Sequence, residues 1–142
     1  MKPHVEEAVQ VLRIAARDVQ AFVVLKEAPE VHISIVCFHA QQAIEKSFKA
    51  VLFLHQIEFR RTHNLTELAG LLRQHRIDIP VKDEQLERLN PFAVTLRYGD
   101  DIEIELVSRD LATELVTSLF RWANEQVSLA TGGNHAIDQH LI

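Results

Sequence analysis

The fold is decided by Cys37-Phe38-His39-Ala40-Gln41-Gln42-Ala43-Ile44-Glu45-Lys46-Ser47-Phe48-Lys49-Ala50-Val51-Leu52, a stretch without glycine or proline. Small and apolar side chains recur along it every three or four residues, at Ala40, Ala43, Ile44, Ser47, Phe48 and Val51. Polar side chains recur with the same period and form a polar row: Gln42, Glu45, Lys46 and Lys49. This spacing predicts an amphipathic helix with one buried face, on which the polar row is either a solvated surface or a working site.

Glycine and proline interrupt the chain at only a few positions, which is typical of long helices joined by short turns. Apolar residues at helical spacing predict a first helix over residues 4–26, a second over 31–56 and a last long helix over 108–129. At a rise of 1.5 Å per residue the first two are each roughly 35 Å long, a length that matches a helical bundle.

The segments between these helices are shorter. Asn64 is placed to cap a third helix, with Glu67 completing a capping box, and Gly70 weakens this helix by up to about 1 kcal/mol, so we expect it to be short. A fourth helical segment is expected to be kinked or broken at Asn90-Pro91. Residues 102–106 alternate like a strand but have no pairing partner, which favours an extended loop. The prediction is an all-α, up-and-down bundle of four to five helices.

The chain of 142 residues is predicted to form one domain over residues 1–130, followed by a flexible C-terminal tail over 131–142. No apolar run approaches the roughly 20 residues that a transmembrane helix needs, so we expect no membrane association. The single cysteine, Cys37, rules out an internal disulfide and fits a cytoplasmic protein in which this thiol is a small core residue.

Charge and histidine spacing limit the possible functions. A net charge of −5 argues against binding nucleic acid by overall charge alone, although a local basic edge can form around Lys46, Lys49, Arg60 and Arg61. None of the eight histidines is three or four residues from another, which is the spacing that puts two metal ligands on one helical face. The sequence therefore predicts neither a metal site nor a cofactor.

Three further residues are candidates for a site. His63 stands before the third helix, where it either closes the turn or joins a ligand beside Lys46 or Lys49. Arg97 either stabilises a helix C-terminus or offers its planar guanidinium to a phosphate or carboxylate, and Tyr98 offers a stacking face. For the polar row itself, the simpler interpretation is a surface stripe with a Glu45–Lys49 pair.

The segments Phe38 to Ala50, Arg61-Thr62-His63-Asn64-Leu65 and Leu96-Arg97-Tyr98 follow one another as in the HEPN family (higher eukaryotes and prokaryotes nucleotide-binding domain). The sequence resembles this family over roughly residues 5–128. The resemblance implies a helical bundle that commonly forms a homodimer. It also implies a possible partner, because small stand-alone prokaryotic members are often encoded beside a minimal nucleotidyltransferase and are discussed as toxin–antitoxin pairs.

Many HEPN proteins are metal-independent RNases, with an arginine followed after four to six residues by a histidine late in the chain. Neither Arg97, Arg109 nor Arg121 has a histidine at those offsets. The resemblance therefore predicts a non-catalytic module that binds nucleotide or RNA in a groove built from Gln42, Glu45, Lys46, Lys49, His63, Arg97 and Tyr98. The alternatives are an RNase toxin with a non-standard site that uses His63, and a purely structural bundle.

Overall fold

The computed structural model describes residues 1–90 and 108–133, and the regular structure within these ranges is entirely helical. The helices are α1 (Pro3–Lys26), α2 (Ile33–Leu54), α3 (Leu65–Gln74), α4 (Asp83–Leu89) and α5 (Arg109–Thr131). The predicted all-α fold is confirmed. None of these described helices combines the length and the apolarity that crossing a membrane requires.

Helix α2 is the centre of the bundle, because it packs against each of the other four described helices. Helices α1, α2 and α5 enclose the main core, while α3 and α4 pack on α2. The largest fully buried side chains include Phe22 on α1, Phe48 on α2 and Leu115 on α5. Burial of one such side chain stabilises the fold by about 1.5–3 kcal/mol. The apolar stripe of α2 therefore determines the fold, as its spacing predicts.

Local caps set where the helices begin. Helix α1 begins at Pro3. Proline has no backbone N–H, which costs nothing at this position because the first N–H groups of a helix have no carbonyl of the same helix to bind. The ring of His32 accepts the N–H of Ser34 at the start of α2, with 3.1 Å between the nitrogens. At the other end of the chain, Ser108 Oγ accepts the N–H of Leu111, 3.0 Å away, and so caps α5.

The start of α3 is capped differently from the predicted capping box. Asn64 Oδ1 accepts the N–H of Glu67 at 3.1 Å, as expected. However, the Glu67 carboxylate accepts from Arg60, and the N–H of Asn64 donates to Thr62 Oγ1 instead. Asn90, which follows α4, adds a second cap to α3, since its Oδ1 accepts the N–H of Leu65 at 2.7 Å. The prediction of a capping box is therefore wrong, because Arg60, which lies outside the helix, binds the Glu67 carboxylate.

The remaining predicted features lie at the edges of the described ranges. Helix α4 ends at Leu89, so the predicted break at Asn90-Pro91 and the extended loop over 102–106 fall at or beyond the limit of the described residues. Helix α5 ends at Thr131 and is followed by Gly132, whose φ of 67° is a left-handed conformation that favours glycine. Of the predicted tail, residues 134–142 lie outside the described ranges.

Candidate functional site

A buried carboxylate on α2 is the centre of the candidate site. Glu45 is 3% exposed, and its two oxygens face three donors. Oε1 accepts from Gln41 Nε2 at 3.2 Å and pairs with His63 Nδ1 at 2.8 Å, while Oε2 accepts from Lys49 Nζ at 3.0 Å. A buried charge is costly unless it is paired and hydrogen-bonded. The three donors meet that requirement and fix the position of each group around Glu45.

Gln41 connects this cluster to the segment before α3, although it is not part of the polar row that the sequence predicts. Its side chain is fully buried, and Nε2 donates both to Glu45 and to the backbone carbonyl of His63, 3.0 Å away. Its Oε1 accepts from Gln42 Nε2 at 2.8 Å. The signal was present in the sequence, because Gln41 and Glu45 are four residues apart and so share one face of the helix.

His63 lies with its ring half in solvent and half against the buried carboxylate. Its side chain is 58% exposed, whereas that of Glu45 is 4% exposed. Because an ionised carboxylate only accepts, His63 Nδ1 carries the proton in this contact, and Nε2 is left for other partners. A carboxylate behind an imidazole fixes both its tautomer and its orientation. His63 therefore contacts the second helix through Glu45, and its place at a ligand beside Lys46 or Lys49 stays a prediction.

Lys46 belongs to a different contact from the rest of the polar row. Its Nζ lies 2.5 Å from Asp18 Oδ2 on α1, and His39 Nδ1 lies 3.5 Å from the other oxygen of Asp18. The pair is partly buried between α1 and α2, so Lys46 helps to dock these two helices. The polar row is thus divided: Glu45 and Lys49 face the segment before α3, and Lys46 faces α1. With Glu45 buried, the row is not a plain solvated stripe.

An open pocket of about 740 Å³ lies beside Lys49, where the start of α1 meets the end of α2 and the following loop. Phe53 and Phe59 meet edge to face in its wall, with ring centroids 5.3 Å apart. The Lys49 ammonium lies 5.9 Å from the Phe59 ring centroid. The lining residues are His4, Lys49, Phe53, Gln56, Ile57, Glu58, Phe59 and Arg61. Sequence spacing does not reveal this pocket, because it joins segments about 50 residues apart, as tertiary packing alone can do.

Two of the basic side chains that line the pocket have no protein partner among the described residues. Arg61 is exposed, and neither it nor His4 forms a hydrogen bond or ion pair within the described ranges. Its neighbour Arg60 is different, because it binds the Glu67 carboxylate through two nitrogens at 2.6 and 3.0 Å. Glu58 is the one acidic side chain among the described lining residues. The pocket therefore combines two cationic side chains, Lys49 and Arg61, with two aromatic ones, Phe53 and Phe59.

Arg109 makes its contacts outside this cluster. Arg97 and Tyr98 lie outside the described residues. Arg109 donates to the backbone carbonyls of Leu25, Lys26 and Val31 at 2.6–3.0 Å, so its guanidinium fastens the start of α5 to the turn between α1 and α2. Within the described ranges, no group of three histidine, cysteine or acidic side chains is arranged to hold a metal ion.

The sequence matches the HEPN domain family over residues 8–124, and the protein belongs to this family. Its fold is similar to that of ST0689, whose crystal structure is described as an archaeal HEPN homologue. The TM-score is 0.53 at 23% identity, and the match covers 89% of this chain and 99% of the archaeal one, which supports a common fold. No curated protein matches the sequence significantly.

Proposed function

We propose that this protein is a HEPN module that binds the phosphate of a nucleotide or RNA without cleaving it. The observation that carries the proposal is Lys49, an ammonium held by the buried carboxylate of Glu45 at the edge of an open pocket. A lysine has three donor hydrogens, so two remain after the bond to Glu45. Because Glu45 already restrains the side chain, a ligand orders it at a reduced entropic cost.

Arg61, which also lines the pocket, supports the same function. Its planar guanidinium matches the geometry of phosphate oxygens, and no described residue neutralises it. The overall charge of −5 is compatible with such a site, because contact with one or two phosphates needs no extended basic surface. For two neutralised phosphates on single-stranded RNA, we expect log K to fall with log salt with a slope of about −1.4.

Binding of a fluorescent single-stranded RNA, and of unlabelled nucleotide as a competitor, tests the proposal. Lys49→Met should weaken binding by about tenfold or more, as expected for the loss of a charged contact. Lys46→Met is the matched control: it also removes an ion-paired ammonium from α2, but one that binds Asp18 and does not line the pocket, and it should change the affinity by less than about twofold. Circular dichroism establishes that both variants are folded.

Absence of any RNA or nucleotide binding by the wild-type protein would overturn the proposal. An equal loss of affinity in both lysine variants would also contradict it, since binding would then follow overall charge rather than the position of Lys49.

A second function is favoured by one contact, the 2.8 Å pair of Glu45 and His63. An exposed imidazole oriented by a buried carboxylate has the form of a general base, which would allow metal-independent RNA cleavage without the arginine–histidine signature. The test is RNA degradation in the presence of EDTA, comparing His63→Ala with His75→Ala. Activity that is lost only in His63→Ala would establish this function, and absence of wild-type activity would rule it out.

We also propose that the protein acts as an assembly, either a homodimer or the partner of a minimal nucleotidyltransferase in a toxin–antitoxin pair. Family membership supports this part of the proposal. Light scattering coupled to size exclusion should give the mass of two 16.2 kDa chains or, after co-expression with the protein encoded next to it, of a mixed complex. A monomer under both conditions would contradict it.

A further inference from the structure

We infer that the pocket beside Lys49 is a binding site for a nucleoside monophosphate, with the phosphate at Lys49 and Arg61 and the base against Phe53 and Phe59. The inference rests on the proposed function and names the ligand of that site. The pocket's volume of about 740 Å³ lies within the range of about 300–1,000 Å³ that small-molecule sites occupy.

The phosphate end is defined by Lys49 and Arg61. Glu45 holds the first cation in place and leaves two of its donor hydrogens, the second has no partner among the described residues, and both side chains line this pocket. His4 reaches the same pocket from the first turn of α1. Glu58 limits the negative charge that the site accepts, because its carboxylate repels a second and third phosphate. The charge balance therefore favours a monophosphate over a triphosphate.

The base end is defined by Phe53 and Phe59. Both rings line the pocket, so they offer an aromatic surface to a flat ligand, and any base can use it because every base has a π-face. Gln56, which is exposed at the end of α2, adds an amide with donors and an acceptor for the edge of a base. Glu58 adds acceptors that suit ribose hydroxyls. A free phosphate alone would leave this half of the pocket unused.

Two neighbouring arginines provide a matched test. Arg61 lines the pocket, whereas Arg60 is bound to Glu67 and does not line it. In isothermal titration calorimetry with adenosine 5′-monophosphate, Arg61→Ala should raise Kd about tenfold or more. Arg60→Ala removes the same charge from the adjacent position and should change Kd by less than about twofold. Because both side chains are exposed, both variants should fold.

Two fragments of the ligand test its two ends separately. Adenosine lacks the phosphate and ribose 5-phosphate lacks the base, and each should bind at least about tenfold more weakly than the monophosphate. Ribose 5-phosphate that binds as tightly as the nucleotide would overturn the inference in favour of a simple anion site. Equal effects of the two arginine variants would place the ligand elsewhere.

The same titrations separate the inference from the proposed function. If single-stranded RNA binds and the monophosphate does not, the inference fails and the proposed function stands. If neither binds, both fail. If the monophosphate binds with the expected difference between Arg61→Ala and Arg60→Ala, both are supported.

Discussion

Replacing Glu45 by glutamine should destabilise the protein by about 2 kcal/mol. The glutamine oxygen can still accept hydrogen bonds, but its NH₂ group then faces one of the three donors that surround the carboxylate, from Gln41, His63 and Lys49. A hydrogen bond to a charged group contributes about 1.5–3 kcal/mol to stability. The side chain of Lys49 is 17% exposed, so water replaces part of what its ammonium loses. These effects give the value of about 2 kcal/mol.

Urea unfolding measures this loss. With an m value of about 2 kcal/mol/M, the midpoint should fall by about 1 M while m stays unchanged. The matched control is Glu87→Gln, at an exposed position of α4 with no hydrogen bond or ion pair to another described residue, and it should change stability by less than about 0.5 kcal/mol. A loss for Glu45→Gln as small as that of the control would refute the conclusion that the buried carboxylate organises the cluster.

Four further predictions concern single residues. Gly70→Ala should raise the free energy of unfolding by about 0.5–1 kcal/mol, because alanine favours the helix more than glycine does and a Cβ at this position meets no neighbouring group within 4 Å. A destabilised variant would show that the methyl group does not fit there. Arg76→Gly should stabilise by about 1 kcal/mol in urea unfolding, since Arg76 holds a φ of 60°; no gain would show that this conformation is unstrained. Burial, followed by the charge of His75, lowers the pKa of His55 in the folded protein below its value of 6.5 in the unfolded chain. Above pH 6.5 both states are neutral and the protein keeps its full stability. As the pH falls from 6.5 toward the lower folded pKa, the unfolded state binds a proton that the folded state does not, so stability is lost. An NMR titration should show this pKa rising in His75→Gln, and an unchanged pKa would exclude the repulsion. Burial raises the pKa of Cys37 to about 12, so the native thiol should not react with a disulfide reagent at pH 8 and should react in denaturant; rapid labelling of the native protein would contradict its burial.

The main helices were predictable because their apolar periods are long. Helix α1 was predicted over 4–26 and is found at Pro3–Lys26, and α2 was predicted over 31–56 and is found at Ile33–Leu54. The boundary of α2 shifts because the His32 ring, a cap that is uncommon in sequence patterns, accepts the N–H of Ser34. Helical spacing thus identifies elements better than it identifies their ends.

The candidate site was only half predictable. The i, i+4 spacing of Glu45 and Lys49 led directly to an ion pair that the structure contains. Lys46 was grouped with them because it shares the polar row, yet it pairs with Asp18 of another helix. Neither that partner nor the pocket at His4 follows from spacing along one helix, since both depend on how the start of the chain packs against α2. Helical periodicity therefore predicts the polar row, whereas the packing of the helices decides that Lys46 and Lys49 have different partners.

The central claim is that the face of α2 organised by Glu45 presents Lys49 to a phosphate in the adjacent pocket. Its most direct test is an NMR titration of the ¹⁵N-labelled protein with adenosine 5′-monophosphate, following every backbone amide. We expect the largest shifts to cluster at Lys49, Phe53 and Arg61 and to saturate together. Saturating shifts centred instead on Lys46 and Asp18, or no shifts at all, would contradict it.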